Sequence, residues 1–143
     1  MPVVDPIRYL KPTSMNTQID INVLLVEDEY INAWALSNAL KPHCKVRHAA
    51  TRDEALYWIQ RETFNFVLLD IHLGQFSEAG IEILPKIKEV QPDCKVIATT
   101  GYGTQKDENR FLSLGFDSFY AKPVDEQRMI EEIQGFRTRL EVA

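Results

Sequence analysis

Cysteine is scarce in this sequence, glycine is thin, basic charge is in deficit and long apolar runs are missing. Two cysteines, Cys44 and Cys94, occur in 143 residues. They lie in separate segments with neither a CxxC pair nor a paired histidine spacing, so neither a disulfide framework nor a zinc site is suggested. Both are expected to be buried free thiols. The apolar runs are far shorter than the roughly 20 residues of a membrane span, and residues 1–20 lack the apolar core of a secretion signal. A cytoplasmic location without a membrane partner is expected. Sixteen Lys plus Arg stand against 21 Asp plus Glu, a net charge of -5, and no dense basic run occurs. Direct nucleic-acid binding is therefore not expected. What is present is ordinary for a globular domain: 45% hydrophobic and 26% charged residues, at a length suited to one domain with a real core.

Residues 1–20 hold Pro2, Pro6 and Pro12 and show no periodicity before Ile19. They read as a flexible N-terminal arm, either native or preceding a native start at Met15, with the folded domain over 21–143. From Ile21 on, short apolar runs alternate with amphipathic stretches. The runs Val23 to Val26, Val46 to Ala49, Phe66 to Leu69, Val96 to Ala98 and Phe116 to Ala121 are rich in β-branched and aromatic residues, which predicts five strands buried on both faces. Ile31, Ala35, Leu36, Ala39 and Leu40 predict a first helical stripe. Ala55, Leu56 and Ile59 predict a second, opened by Thr51 and Glu54 at capping-box spacing. Leu84, Ile87 and Val90 predict a third, with Pro85 placed in its first turn. Phe111, Leu112 and Leu114 predict a fourth, stopped by Gly115. Met129, Ile130, Ile133, Phe136 and Leu140 predict a fifth, with Asp125 as N-cap. Strand and helix alternate five times, so the expected fold is α/β, a doubly wound five-stranded parallel sheet with helices on both faces.

Ligands of such sheets bind beyond the carboxyl ends of the strands. Glu27, Asp28 and Glu29 follow the first run, Asp70 the third, Thr99 and Thr100 end the fourth, and Lys122 and Pro123 follow the fifth. Singly, such residues are caps, turn formers or solvated charges. Together, the first and third ends crowd Glu27, Asp28 and Asp70 into one cleft, where like charges repel unless a cation neutralises them. Mg²⁺ suits a site of one or two carboxylates, a carbonyl and waters. A carboxylate nucleophile, Mg²⁺, a hydroxyl donor in Thr100 and a positive charge in Lys122 together describe a phosphoryl-transfer site.

The segments VLLVEDE, FVLLDIHLG, VIATTG and FYAKPV, in this order and at these strand ends, resemble the receiver domain of two-component response regulators over residues 21–141. The resemblance implies a flavodoxin-like sheet of receiver type. It implies that Asp70 accepts a phosphoryl group from a histidine kinase or histidine phosphotransfer protein, as one step of signalling or a phosphorelay. It also implies that Asp28 ligates Mg²⁺ directly, Glu27 mostly through water, and the main-chain carbonyl of His72 completes the protein ligands. Thr100 matches the switch hydroxyl, Lys122 the partner of the phosphoryl oxygens, and Phe119 the aromatic that swings inward when the hydroxyl engages phosphate. The Lys122–Pro123 bond is expected to be cis. Tyr102 and His72 fall at the rim of the water approach, where Tyr102 is expected to slow hydrolysis. Such a domain is not a turnover enzyme; its chemistry is its own Mg²⁺-dependent phosphorylation and dephosphorylation. No effector domain is expected after the last stripe, so output is expected through a downstream protein target or a homodimer.

Two departures from the family pattern stand out. A proline is usual near the position of Gly74, and the stretch from Asp70 to Gly80 is about two residues longer than the family's. Three other readings compete. A phosphatase of the haloacid dehalogenase type needs a second Asp two residues after its nucleophile, where this chain has His72. A flavodoxin-like flavin carrier needs a phosphate cradle in the first loop, which Glu27, Asp28 and Glu29 would repel. A receiver-like binding module that works without phosphorylation would have lost some reactive positions, and here all are filled.

Overall fold

Asn22 and Asn65 join the starts of the first and third strands. The Asn22 N–H donates to Asn65 Oδ1 at 2.8 Å, and the Asn65 N–H donates to the Asn22 carbonyl at 2.8 Å. In the computed structural model of the chain, residues 20–73, 79–101 and 105–142 are described. The elements run β1 Asn22–Val26, α1 Tyr30–Leu40, β2 Lys45–Ala49, α2 Arg52–Ile59, β3 Phe66–Asp70, α3 Ala79–Val90, β4 Lys95–Thr100, α4 Gln105–Leu114, β5 Ser118–Ala121 and α5 Glu126–Val142. All four strand pairs are parallel, in the order β2-β1-β3-β4-β5. The fold class is therefore the expected one. The order reverses between β1 and β3, and that reversal opens the crevice where ligands of such sheets bind.

Strand alternation divides the core into two layers. Leu24, Val26, Val67, Leu69, Val96 and Ala98 pack with residues of α2, α3 and α4, including Ile59, Ile83, Ile87 and Phe111. On the other face, Val23, Leu25, Phe66, Leu68 and Ile97 meet α1 and α5 through Leu36, Leu40, Met129 and Ile133. Central β3 is buried at every position, as a strand covered on both faces must be. Edge strand β2 is not: Lys45 is exposed and Val46, Arg47 and His48 are half-buried. The expectation of burial on both faces fails there because β2 has a sheet neighbour on one side only.

The helices depart from the sequence reading in informative ways. In α1 the buried residues are Ala33, Leu36 and Leu40, whereas Ile31 is 81% exposed and Ala35 is exposed as well. Apolar residues stand on nearly every side of this helix, so periodicity alone could not choose the packed face. Pro85 lies in the interior of α3 rather than its first turn, because the helix already begins at Ala79. The Ile81 carbonyl thereby lacks its usual main-chain donor four residues on. The fifth run begins later than expected, since Phe116 closes α4 instead of opening β5.

That closure is a Schellman motif. The Gly115 N–H donates to the Leu112 carbonyl at 3.1 Å and the Phe116 N–H to the Phe111 carbonyl at 3.2 Å. Gly115 adopts φ 112°, a conformation open to glycine at little cost. The Phe111 and Phe116 rings meet edge to face at 5.9 Å. At the other caps, Thr51 Oγ1 accepts from the Glu54 N–H at 3.1 Å, while Glu54 Oε1 reaches back to the Ala50 N–H rather than to that of Thr51. Asp125 caps α5, its Oδ1 accepting from the Arg128 N–H at 3.1 Å. Cys94 is buried and Cys44 half-buried, both as free thiols; burial raises their pKa values to about 12 and about 11. The Leu140 side chain, Tyr102, Gly74 and the arm before Asp20 lie outside the described residues.

Candidate functional site

Three strand ends supply the charged groups of the site. β1 hands over to Glu27 and Asp28, β3 ends on Asp70, and Lys122 follows β5. Ligand oxygens of Glu27, Asp28 and Asp70 all lie within 4.8 Å of one another. Lys122 reaches across β4 into this cluster, its Nζ donating to Glu27 Oε1 at 2.8 Å and to Asp70 Oδ2 at 3.1 Å. The Lys122 N–H donates to the Thr100 carbonyl at 2.8 Å, which extends the β4–β5 ladder by one residue and aims the side chain. The Lys122–Pro123 peptide bond is cis.

Glu27 is 4% exposed and Asp70 is 3% exposed, while Asp28 is half-buried. Asp70 is held at both oxygens, because its Oδ1 accepts the His72 N–H at 3.0 Å. Glu27 Oε2 accepts the Glu29 N–H at 3.2 Å. Burial pushes the Glu27 carboxyl above its ordinary value. The hydrogen bond from Lys122 opposes that push and the Asp70 charge adds to it. Burial works against the Lys122 ammonium too, yet Glu27 and Asp70 together hold its pKa above the usual lysine value. Among the described residues three carboxylates crowd this pocket, and their mutual repulsion is what a hard cation would neutralise. An all-oxygen donor set on two adjacent strand ends fits Mg²⁺.

The family model of the response regulator receiver domain matches residues 23–134. The chain belongs to the response regulator receiver domain family. The transcriptional regulatory protein DltR of Streptococcus agalactiae is 30% identical over 120 residues, and the aligned region covers 83% of this chain and 52% of DltR. The chain thus spans about half the length of that relative. The receiver domain protein of Methanospirillum hungatei, described as CheY-like, is 30% identical with a TM-score of 0.74, covering 86% of this chain and 98% of that one. A response regulator protein from Burkholderia pseudomallei, solved with a phosphorylated aspartic acid, calcium ion and citrate, is 28% identical with a TM-score of 0.71 and covers 86% and 72%.

In this receiver domain the remaining predicted residues sit on the α2–α4 side of the site. Thr100 closes β4 and is 1% exposed. Alternation along β4 puts it on the same face as Val96 and Ala98. Phe119 pairs with Ala98 in the β4–β5 register, is buried, and stacks on Phe111 of α4 at 5.4 Å. Thr99 takes the opposite face. With Leu25, Asn32, Leu36, Lys122 and Val124 it lines a cleft of about 410 Å³ between α1 and the turn into α5. The stretch from Asp70 to Gly80, expected to be longer than the family's, includes residues 74–78, which lie outside the described residues. Glycine is favoured at position 80, because a Cβ would run into the Asp70 carbonyl oxygen and the backbone would have to shift.

The sequence reading passed over His48, whose Nε2 lies 2.6 Å from the Glu27 carbonyl oxygen. Its signal in the sequence was faint, a lone histidine one residue from the end of an edge strand.

Proposed function

We propose that this receiver domain accepts a phosphoryl group on Asp70 from a phosphohistidine donor and signals through the Thr100 and Phe119 side of the site. The carrying observation is Asp70 itself. It is a buried carboxylate on the end of the central strand, with one oxygen held by the His72 N–H and the other by Lys122. In the transfer the donor's P–N bond breaks as a P–O bond forms to an Asp70 oxygen, and the imidazole leaves. The phosphorylated aspartic acid and calcium ion of the Burkholderia relative support this reading of the acid cluster.

Asp28, Glu27, Asp70 and the main-chain carbonyl of His72 would hold Mg²⁺, with Asp28 a direct ligand and Glu27 acting mostly through water. Bound there, the ion supplies neutralisation of the carboxylates and of the incoming phosphoryl oxygens. Lys122 is already aimed at Asp70 and offers its ammonium to a phosphoryl oxygen. The Thr100 hydroxyl supplies a hydrogen bond from the other side. Because the product stays on Asp70 until water removes it, the domain is a switch and not a turnover enzyme. Its partners in this reading are a histidine kinase or histidine phosphotransfer protein upstream and a protein target or second copy downstream. Residues 21–143 form the working unit, in the cytoplasm.

The test is mass measurement after incubation with acetyl phosphate and Mg²⁺. Wild type should gain one phosphoryl group, and Asp70→Asn should gain none while keeping its circular dichroism spectrum. Undiminished uptake by Asp70→Asn would move the acceptor elsewhere, with Asp28 next in line. No uptake by wild type would favour a binding module that works without phosphorylation.

A further inference from the structure

We propose that His48 is a positioning residue for the acid pair: its ring N–H holds the main-chain carbonyl of Glu27 and thereby sets the direction in which Asp28 is presented. The role rests on the reading of Glu27 and Asp28 as cation-holding residues.

The Glu27 carbonyl is an acceptor, so the 2.6 Å contact requires His48 Nε2 to carry the proton. The need for such a donor follows from the sheet. The Glu27 N–H still donates to the Ala49 carbonyl at 3.0 Å, continuing the β1–β2 ladder one step past Val26. A further step would call on the N–H of Thr51, but the chain there turns into α2 with Thr51 as its N-cap. Among the described residues no main-chain N–H reaches the Glu27 carbonyl, and the His48 ring takes that place.

The peptide unit is planar. Fixing the Glu27 oxygen therefore fixes the whole plane between Glu27 and Asp28, including the Asp28 N–H, and with it the starting direction of the Asp28 backbone. Glu27 has other anchors, with Lys122 on Oε1 and the Glu29 N–H on Oε2, but these act on its side chain. His48 is itself constrained. It lies in register with Leu25 on β1, and the edge of the Tyr30 ring meets it at 5.9 Å. Tyr30 is 74% exposed and stands two residues beyond Asp28, so the acid turn is framed on its β2 side by this ring pair. Residues that orient metal ligands from behind contribute measurably to affinity.

The experiment compares the full chain with His48→Leu, which removes the donor, and His48→Gln, whose amide can place an N–H near the position of Nε2. Two readouts are taken. In metal-free protein, the Asp28 amide resonance should shift and exchange faster with solvent in His48→Leu, and stay near its wild-type behaviour in His48→Gln. In calorimetric titration with MgCl₂, His48→Leu should bind about three- to tenfold more weakly, the range expected for one lost hydrogen bond, and His48→Gln should recover to within about twofold. Phosphorylation by acetyl phosphate should need more Mg²⁺ in His48→Leu yet reach the wild-type rate at saturation. An unchanged Asp28 amide in His48→Leu would overturn the positioning role. Equal losses in the leucine and glutamine variants would overturn it too, by showing that ring packing and not the bond matters. Absence of Mg²⁺ binding by wild type would instead overturn the reading of the acid cluster, and is distinguished by needing no variant.

Discussion

Lys122 is the residue on which the metal-free site balances. It is the counter-charge that the structure places against both Glu27 and Asp70, at 2.8 and 3.1 Å, while the third carboxylate, Asp28, is the half-buried member of the cluster. The two members of the acid pair are therefore unequal. Glu27 is buried with both carboxylate oxygens held, by Lys122 and by the Glu29 N–H, whereas Asp28 is only half-buried and so more accessible to an incoming cation. Asp28→Ala is expected to weaken Mg²⁺ binding more than Glu27→Ala does, as read by calorimetry; equal losses would contradict that ordering. A second residue-scale prediction concerns Tyr120 of β5, two residues before Lys122. Burial pushes its phenol above the ordinary value of 10, and the bond from its hydroxyl to Glu132 Oε1 at 2.7 Å adds to the push. The unfolded phenol loses its proton near 10 and the folded one only at higher pH. The stability carried by this group is thus complete below pH 10 and is lost as pH rises beyond it. Above about pH 10, urea midpoints of wild type should fall more steeply with pH than those of Tyr120→Phe. Parallel slopes would place the alkaline loss in other groups.

Helix α3 and the α4–β5 pair set the flanks of the site at the scale of elements. Gly80 lets α3 start directly against the backbone of Asp70, its N–H donating to the Ile71 carbonyl at 2.9 Å. Since a Cβ would meet backbone rather than a side chain that can yield, Gly80→Ala should cost about 1 to 3 kcal/mol of stability in urea unfolding and displace Asp70. A loss under half of that would show that α3 can slide without penalty. On the opposite flank, Phe111 touches Phe116 at the end of α4 and Phe119 in β5. A movement of Phe119 must therefore be felt along α4. Backbone amide shifts on adding a phosphoryl mimic with Mg²⁺ are expected to concentrate in residues 100–122. Shifts confined to the stretch after Asp70 would leave Thr100 and Phe119 without a switching role. The expectation that Tyr102 shields the phosphoryl group falls outside the described residues. It is tested by the phosphate-release rate of Tyr102→Ala, which should be several-fold faster than that of wild type.

At the scale of the whole molecule, the described residues of both core layers run from Ile21 to Phe136, and the described contacts of the acid cluster come from residues 27 to 122. Removing residues 1–18 should accordingly leave phosphorylation by acetyl phosphate unchanged, and a large loss would show that the arm packs on the domain. No helix among the described residues is long and apolar enough to cross a membrane. The sequence by itself determined the order of strands and helices, because β-branched runs and helical stripes are local patterns. It also determined that acids and a lysine gather at one edge, because parallel strands all deliver their carboxyl ends to the same side of a sheet. Tertiary structure alone decided which face of α1 is buried, since a helix apolar all round has no preferred azimuth until it meets a sheet. It decided that Pro85 lies within a helix, since the start of α3 is set by the close approach of Gly80 to Asp70. It alone brought His48 to the Glu27 carbonyl, because two residues 21 positions apart meet only through the β1–β2 register, which no local pattern in either strand records.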